Sequence, residues 1–281
     1  MSEMKALYDQ VSLQSSKIVT RSYSTSFSLG IRLLSKDLHD PIYAIYGFVR
    51  LADEIVDTFH DFDKRALLQR FKEDTYTALD EGISLNPILH SFQAVVNEYK
   101  IELELIEAFL YSMEMDLVDQ EYDQEAFEKY ILGSAEVVGL MCLRVFCEGN
   151  EEQYQSLKAP AMKLGAAFQK VNFLRDLKAD YEKLGRSYFP SVDLERFDLP
   201  SKRDIEADIE QDFAEAYEGI KRLPKKAKLG VYLAYVYYVR LFNKIQNTEP
   251  LTIMEERVRI PNSRKYSLML GSYFRYRLNI L

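Results

Sequence analysis

The chain has 281 residues, 47% of them hydrophobic, and a formal net charge of −8 at pH 7. That length and composition supply enough apolar surface for a large core, and the acidic balance argues against nucleic acid as the main partner. Because there are only 11 Gly and 8 Pro and no low-complexity run, nothing marks a linker, and residues 1–281 are predicted to form a single domain.

Cysteine and histidine usage leaves little support for several kinds of site. Cys142 and Cys147 lie five residues apart in a predicted helix and point to different faces, which favours free thiols in a reducing cytosol. The three histidines have no ligand spacing, so neither a zinc site nor a His-based triad is supported. The N-terminus, MSEMKALYDQ, has no apolar signal core, and the apolar run at 229–245 is interrupted by Arg240 and Asn243. We expect a cytoplasmic protein, and peripheral contact with the inner face of the membrane stays open.

Helical periodicity runs through nearly the whole chain, whereas strand signals are nearly absent. Helices are predicted at 4–20, 39–59, 63–81, 87–100, 101–119, 123–148, from after Pro160 to 185, at 201–222 and at 224–246, with a last apolar helix towards the C-terminus. Asn86 with Pro87 marks the start of one of them, and Ser201 with Asp204 the start of another. The predicted fold class is all-α.

A hydroxyl-rich segment, SYSTSF at 22–27, precedes the first long apolar helix. Its side chains can donate hydrogen bonds to phosphate oxygens, or simply cap a helix, which is the commoner use. Taken alone the segment is weak evidence for a site.

The helix predicted at 39–59 carries a polar stripe on an otherwise apolar surface. In PIYAIYGFVRLADEIVD, Tyr46, Arg50, Asp53 and Asp57 are spaced 4, 3 and 4 residues apart, which places them on one helical face. The positions between them are mostly apolar. A helix of this kind is predicted to be buried except along the stripe.

A second stripe lies in LGAAFQKVNFLRDLKADYEKLGRSYFP, residues 164–190. Here Gln169, Asn172, Asp176 and Asp180 are separated by 3, 4 and 4 residues and again share one face. Two carboxylates one turn apart repel each other, and burying them without a partner costs several kcal/mol. A cation is the simplest way to offset that repulsion.

Two pairs of aspartates on separate helices provide hard oxygen ligands, which suit Mg²⁺ completed by water and substrate phosphate. Solvated surface aspartates would have the same spacing, but two pairs on otherwise apolar helices favour the metal site. Arg50, Arg175 and Arg186 lie on or beside the stripes and can pair with phosphate oxygens. A metal-bound diphosphate at the mouth of an apolar space predicts ionisation of an allylic diphosphate, with aromatic rings stabilising the carbocation and water excluded. Most of the 16 Phe and 20 Tyr are nevertheless expected to be core residues.

These segments resemble the squalene/phytoene synthase family, whose members join two isoprenyl diphosphates head to head. The second stripe, ending in RSYFP, is similar to the family's most specific signature, and DEIVD at 53–57 looks like its first aspartate-rich motif. YILGSAEVVG at 130–139 is similar to the small-residue helix beside the reaction cavity. The likeness extends from the SYSTSF segment to the C-terminal helix.

The resemblance implies a helical isoprenoid-synthase bundle around a central cavity, with Mg²⁺ or Mn²⁺ assisting the loss of diphosphate. By that likeness the metal-binding and catalytic carboxylates are Asp53, Asp57, Asp176 and Asp180. The implied diphosphate-binding residues are Ser24, Ser26, Arg50, Gln169, Asn172 and Arg175. Phe27, Tyr46 and Tyr130 are implied near the reacting carbons. Tyr23 stands where relatives often have His, and it is given no role. The C-terminal basic residues align only loosely and are also given no role; they are Arg257, Arg259, Arg264 and Lys265.

Within the family, squalene synthases reduce the cyclopropyl intermediate with NADPH, and phytoene synthases end the reaction by losing a proton. The likeness is greatest to bacterial phytoene synthases. The predicted reaction therefore condenses two geranylgeranyl diphosphates to phytoene through prephytoene diphosphate, without NADPH. One alternative is a squalene or dehydrosqualene synthase acting on farnesyl diphosphate. Another is a non-catalytic isoprenoid-binding subunit, against which the intact aspartate pairs argue. The sequence decides neither the substrate's chain length nor the oligomeric state.

Overall fold

The computed structural model describes residues 3–118, 122–184, 188–190, 192, 197–260 and 272, and the side chains of residues 179–184 lie outside that description. The described chain is helical and contains no strand, which confirms the predicted all-α class. The helices are α1 Glu3–Tyr23, α2 Thr25–Arg32, α3 His39–Asp57, α4 Lys64–Glu81, α5 Pro87–Tyr99, α6 Leu103–Met115, α7 Gln124–Ile131, α8 Val137–Cys147, α9 Glu151–Leu184, α10 Leu199–Arg222, α11 Lys225–Gln246 and α12 Pro250–Glu255. A π-helical segment, Leu132–Glu136, joins α7 to α8.

The helix N-terminus predicted from the sequence is correct for α5 and wrong for α10. Asn86 Oδ1 accepts the N–H of Ile88 at 3.0 Å with Pro87 in the first turn of α5, as predicted. At α10 the cap is Asp198, whose Oδ1 accepts the N–H of Ser201 at 2.9 Å. Ser201 therefore lies inside the first turn, because an aspartate three residues earlier satisfies its backbone N–H.

Helix α9 is longer than predicted. It begins at Glu151 and includes Pro160, which was expected to precede it. The proline is accommodated where α9 meets α10, since a Cβ on Gly219 of α10 would lie 2.5 Å from Pro160 Cβ. The missing side chain on one helix thus makes room for the proline ring on the other.

The core forms two hydrophobic clusters. The first gathers α3, α4, α5, α6 and α8, with Phe48 stacked on Phe92 at a ring-centroid distance of 3.9 Å. The second surrounds the later part of α9, where Phe173 stacks on Tyr188 at 4.0 Å. Tyr235 of α11 packs against both clusters. That residues 1–281 form one domain stays a prediction.

One stretch of the described chain, Gln124–Cys147, is long and apolar enough to span a membrane. More than half of its most apolar window is buried inside the protein, as expected for a core helix.

That same stretch was predicted to be one continuous helix, but the π-helical segment interrupts it. The interruption falls where the backbone meets a neighbouring helix, because a Cβ on Gly133 would collide with the carbonyl oxygen of Ala108 and lie 2.7 Å from Ser112 Cβ on α6. On the other side, a Cβ on Gly165 of α9 would lie 2.7 Å from the carbonyl oxygen of Ala135. The small residues therefore allow close helix packing.

A buried charge cluster ties α9 to α10. Asp212, fully buried, accepts from Lys163 Nζ at 2.8 Å and from Lys170 Nζ at 2.7 Å, and Lys170 also reaches Asp208 at 2.5 Å. Glu136, at the end of the π-helical segment, faces this cluster. Burial, with a smaller contribution from Asp212, raises the pKa of Glu136 to about 7, although the two lysines oppose the shift.

Replacing Gly133 by alanine is expected to lower the free energy of unfolding by about 1–3 kcal/mol, because the added methyl forces α6 away. Urea denaturation at equilibrium measures the change. Gly30→Ala is the matched control: its Cβ would meet the Gly230 carbonyl oxygen at 3.5 Å, an ordinary contact, so it should be neutral or stabilising by roughly 0.5–1 kcal/mol. Equal stability of the two variants would contradict the packing described.

Glu136 should make stability depend on pH. Since its folded pKa of about 7 exceeds the ordinary value of 4.5, the stabilising contribution of the protonated form is present below pH 4.5 and is lost as the pH rises through about 7. The free energy of unfolding of Glu136→Gln should therefore fall less than that of the wild type between pH 5.5 and pH 8. Glu125→Gln, at an exposed position on α7, serves as control. Parallel pH profiles for the wild type and Glu136→Gln would show that Glu136 is not buried in this way.

Candidate active site

The predicted stripe on α3 carries an arginine that pairs with two acidic neighbours. Arg50 forms ion pairs with Asp53 and Glu54, and its guanidinium lies over the ring of Tyr23 at 4.4 Å. The Nε atom of Arg50 is buried and has no hydrogen-bond acceptor among the described residues. Asp57 ends the helix one turn after Asp53. The stripe therefore combines carboxylates with a guanidinium donor that an anion could satisfy.

The stripe on α9 is paired in a similar way. Asp176 accepts from Arg175 Nη2 at 2.5 Å and forms an ion pair with Arg257 Nε at 2.6 Å. Its side chain is 20% exposed. Asn172 Oδ1 accepts a hydrogen bond from the hydroxyl of Tyr238 at 3.2 Å. Asp180 continues the same face in sequence, but its side chain lies outside the described residues.

An apolar cavity of about 370 Å³ lies between α2, α3, α8, α9, α10 and α11. Most of its wall is aliphatic or aromatic. Five polar residues line it at one end, namely Ser24, Tyr46, Gln169, Asn172 and Tyr238. Apolar residues at the far end include Leu34, Phe146, Leu157 and Leu223. Because Asn172 and Leu157 are fifteen residues apart on α9, the cavity extends for roughly 22 Å along this helix.

Both aspartates lie beyond the polar end of the cavity. Asp53 follows the cavity-lining Tyr46 by seven residues on α3, and Asp176 follows the cavity-lining Asn172 by four on α9. In addition to burial, the charge of Asp53 raises the pKa of Tyr46, as does Tyr238, and the charge of Asp176 raises the pKa of Tyr238. The two acidic stripes therefore converge at one end of a single apolar cavity.

Burial is the main reason why the pKa values of Tyr46 and Tyr238 are raised. Arg50 opposes the shift at Tyr46, and Arg175 opposes it at Tyr238. Both hydroxyls are consequently neutral at physiological pH and can donate hydrogen bonds at the cavity's polar end.

The hydroxyl-rich segment is divided between two roles. Ser24 caps α2, since its Oγ accepts the N–H of Phe27 at 3.2 Å, and it also lines the cavity. The ring of Phe27 lies 4.8 Å from that of Tyr46. Ser26 instead lines a small neighbouring pocket beside Tyr238. Helix capping, the commoner use, is thus present without excluding contact with a ligand.

Tyr130 is not part of the cavity wall. Its hydroxyl donates to Asp116 Oδ2 at 2.8 Å, and the hydroxyl of Tyr188 donates to Asp116 Oδ1 at 3.2 Å. The three residues are buried together, and burial raises the pKa of Tyr130 well above its ordinary value. A buried carboxylate needs such donors, which gives Tyr130 a structural role. Its placement near the reacting carbons stays a prediction, and this position does not favour it.

Two residues with contacts to the site were not in the predicted set. Tyr238, in an aromatic-rich helix, stacks on Phe168 at 3.9 Å as well as bonding Asn172. Arg257 belongs to the basic cluster to which no role was given, yet it pairs with Asp176. Of that cluster, residues 264 and 265 lie outside the described residues, as does Arg186. The sequence showed that these segments are rich in Tyr and Arg, but only the structure shows the contacts that Tyr238 and Arg257 make.

The donor chemistry of the stripes fits a hard divalent cation, because Asp53, Asp57 and Asp176 offer only oxygen ligands. In the described part of the chain, however, no three His, Cys, Asp or Glu side chains come together as a metal site. Arginines neutralise Asp53 and Asp176 in this arrangement. The predicted metal therefore stays a prediction.

Comparison with known proteins agrees with this geometry. The family model described as squalene/phytoene synthase matches residues 20–264. A phytoene synthase of Cereibacter sphaeroides is 26% identical over 258 residues, covering 83% of this chain and 71% of that protein. A presqualene diphosphate synthase of Sinorhizobium fredii is 32% identical over 180 residues, covering 63% of this chain and 62% of that protein.

Among solved structures, a dehydrosqualene synthase in complex with ligand matches with a TM-score of 0.80 at 20% sequence identity, covering 96% of this chain and 98% of that one. This likeness establishes the fold, an all-α isoprenoid synthase fold. Because the family match spans residues 20–264 of 281, the chain belongs to the squalene/phytoene synthase family, prenyltransferase-type enzymes that condense prenyl diphosphates head to head.

Proposed function

We propose that this chain is a phytoene synthase, which condenses two geranylgeranyl diphosphates to phytoene through prephytoene diphosphate. The observation that carries the proposal is the apolar cavity with its polar end between the two acidic stripes. A diphosphate is an anion that arginines bind, whereas an isoprenyl chain is purely apolar. One substrate molecule therefore matches both parts of the site.

The diphosphate end of each substrate would contact donors that the described structure offers. The guanidinium groups of Arg50 and Arg175 can donate to phosphate oxygens in bidentate fashion. Gln169, Asn172 and Tyr238 supply neutral donors at the cavity's polar end. These groups hold the leaving group where negative charge develops, which is where fixed donors accelerate a reaction most.

Asp53, Asp57, Asp176 and Asp180 are the residues that would hold Mg²⁺ or Mn²⁺. When bound, the metal would neutralise diphosphate charge and assist its departure as a Lewis acid. Without a cation, the carboxylates and the diphosphate would repel each other.

The cavity wall would protect the carbocation left after diphosphate departs. The rings of Phe27 and Tyr46 line the cavity next to its polar end and can stabilise positive charge through their negative faces. The aliphatic remainder of the wall excludes water, which would otherwise capture the cation.

Phytoene is favoured over squalene for two reasons. The phytoene synthase relative is matched over more of this chain, 83%, than the presqualene diphosphate synthase relative, 63%. Ending the reaction by proton loss also requires only a weak base, whereas reduction to squalene requires a bound nicotinamide. The likeness to a dehydrosqualene synthase structure keeps farnesyl diphosphate as the alternative substrate.

Replacing a stripe aspartate should impair catalysis while leaving the fold intact. Asp53→Asn and Asp176→Asn are each expected to lower kcat about 100-fold or more and to raise the Mg²⁺ concentration that gives half-maximal turnover. The free energy of unfolding should change by less than about 1 kcal/mol, since each loses only a partly exposed ion pair. Steady-state kinetics over a range of Mg²⁺ concentrations, together with urea denaturation, measure both effects.

Asp80→Asn, an exposed position on α4, is the control and should behave as the wild type. Treatment with EDTA should abolish wild-type turnover, and added Mg²⁺ or Mn²⁺ should restore it. Full activity in EDTA, or near-normal kinetics of either stripe variant, would refute the metal assignment.

The product should be a hydrocarbon formed without reduction. Purified enzyme given geranylgeranyl diphosphate and Mg²⁺ is expected to yield phytoene at the same rate with and without NADPH, because proton loss needs only a weak base. Mass spectrometry of the organic extract identifies the product. Parallel reactions with farnesyl diphosphate test the alternative: squalene only with NADPH, or dehydrosqualene without it, combined with no product from geranylgeranyl diphosphate, would identify a farnesyl-specific enzyme.

A further inference from the structure

Helix α1 turns small polar side chains towards the protein and large apolar ones towards solvent. Its inner face, against α3 and α5, consists of Ser12, Ser16 and Thr20, all fully buried. Ser16 Oγ lies 2.7 Å from Ser91 Oγ, and a Cβ on Gly47 would lie 2.7 Å from Ser16 Oγ. Larger side chains do not fit there. An inner face of small hydroxyl side chains is unusual for an amphipathic surface helix.

The outward face carries an apolar seam, which the exposed Gln14 interrupts between Val11 and Ile18. Met4, Leu7, Val11 and Ile18 are 72%, 50%, 50% and 64% exposed. Their spacing of 3, 4 and 7 residues places them on one face, about 21 Å long. Single exposed apolar residues are common on protein surfaces, but an aligned set on one helix indicates a surface that another molecule covers.

The seam is held in place before any partner arrives. The hydroxyl of Tyr8 donates to the carbonyl oxygen of Ser84 at 2.6 Å, and Asp9 Oδ1 lies 2.6 Å from Nε2 of the buried His90. These contacts tie the first half of α1 to α5 and the segment before it. A rigid apolar face needs no ordering when it binds, which favours association.

The charges beside the seam match a second copy of the same helix. Glu3, Gln10 and Lys17 lie seven residues apart along one edge. In a parallel pair related by a twofold axis, this edge of one helix lies on the opposite side from the same edge of the other, so that Glu3 cannot meet Lys17. In an antiparallel pair with its twofold axis near Val11, Glu3 of one copy comes within a turn of Lys17 of the other, and Met4 meets Ile18. Opposite charges and apolar side chains are then matched simultaneously.

A membrane surface fits the seam less well. Membrane-binding helices carry lysines and arginines on a solvated polar face beside the apolar one. The polar face of α1 is buried against the protein, and the edge of the seam carries Glu3 and Gln10 as well as Lys17 and the exposed Arg21. The net charge of −8 also disfavours approach to an anionic membrane.

We propose that the seam of α1 is a homodimer interface, in which two copies pair antiparallel about a twofold axis near Val11. Two such faces would bury on the order of 1,000 Å², at the small end of specific interfaces. We therefore expect a reversible dimer that dissociates on dilution in the micromolar range.

Sedimentation velocity of the full chain, from about 1 µM to about 200 µM, tests the proposal. The wild type should pass from monomer to dimer over this range. Val11→Lys places two like charges at the twofold axis and should raise the dissociation constant about tenfold or more. Leu103→Lys, a partly exposed apolar position at the start of α6, is the matched control and should dimerise like the wild type.

Charge exchange tests the orientation of the pair at the exposed Glu3 and at Lys17, which is half-buried with its Nζ 5.6 Å from the ring centroid of Tyr43. Glu3→Lys alone should weaken the dimer, and Glu3→Lys combined with Lys17→Glu should restore it, because the antiparallel contact again joins opposite charges. A wild type that stays monomeric throughout, or a Val11→Lys variant that dimerises normally, would overturn the proposal. So would a monomeric wild type that floats with phosphatidylcholine/phosphatidylglycerol vesicles and loses this binding in Val11→Lys, since the seam would then be a membrane contact.

Discussion

Neutralisation of carboxylates on largely buried helices is the constraint on which the site depends. Asp53 and Asp176 each lie on a helix that is apolar around most of its circumference, where an uncompensated charge is costly. Arg50 compensates the first, and Arg175 with Arg257 the second. The ion pair of Arg257 with Asp176 brings the segment after α12 to the polar end of the cavity. The same ion pair therefore helps to position this segment beside the site.

Three faces of helix α9 make three different kinds of contact. One face lines the cavity with Gln169 and Asn172, another packs its alanines and leucines into the core, and a third carries Lys163 and Lys170 to the buried Asp212 of α10. Removing one partner of a buried ion pair is strongly destabilising, although the intact pair adds little to the free energy of folding. The contact with Asp212 therefore determines the position of α9 more than it raises the stability of the fold. The cavity-lining side chains consequently rest on a helix that cannot easily rotate or slide.

Local spacing made much of this architecture predictable. The helical period indicated the all-α class, and the 3–4–4 and 4–3–4 spacings indicated both stripes, because these features depend on residues close together in the chain. The sequence did not show how the carboxylates are neutralised: repelling pairs were expected, whereas Arg257 reaches Asp176 from 81 residues away. Tyr238 bonds Asn172 across 66 residues, and Tyr130 is held by Asp116, contacts that no periodicity reveals. The interior Pro160 is likewise explained only by Gly219 on the facing helix.

The arginine pairs have a consequence for binding under the proposed function. Arg50 and Arg175 are the donors that a diphosphate would bind, and they are also the groups that now neutralise Asp53 and Asp176. A diphosphate that draws an arginine away leaves a carboxylate uncompensated and so increases its affinity for a cation. By thermodynamic reciprocity, a cation bound to the carboxylates releases the arginine and increases the affinity for diphosphate by the same factor. Metal and substrate would therefore be coupled through the arginines even without direct contact between them.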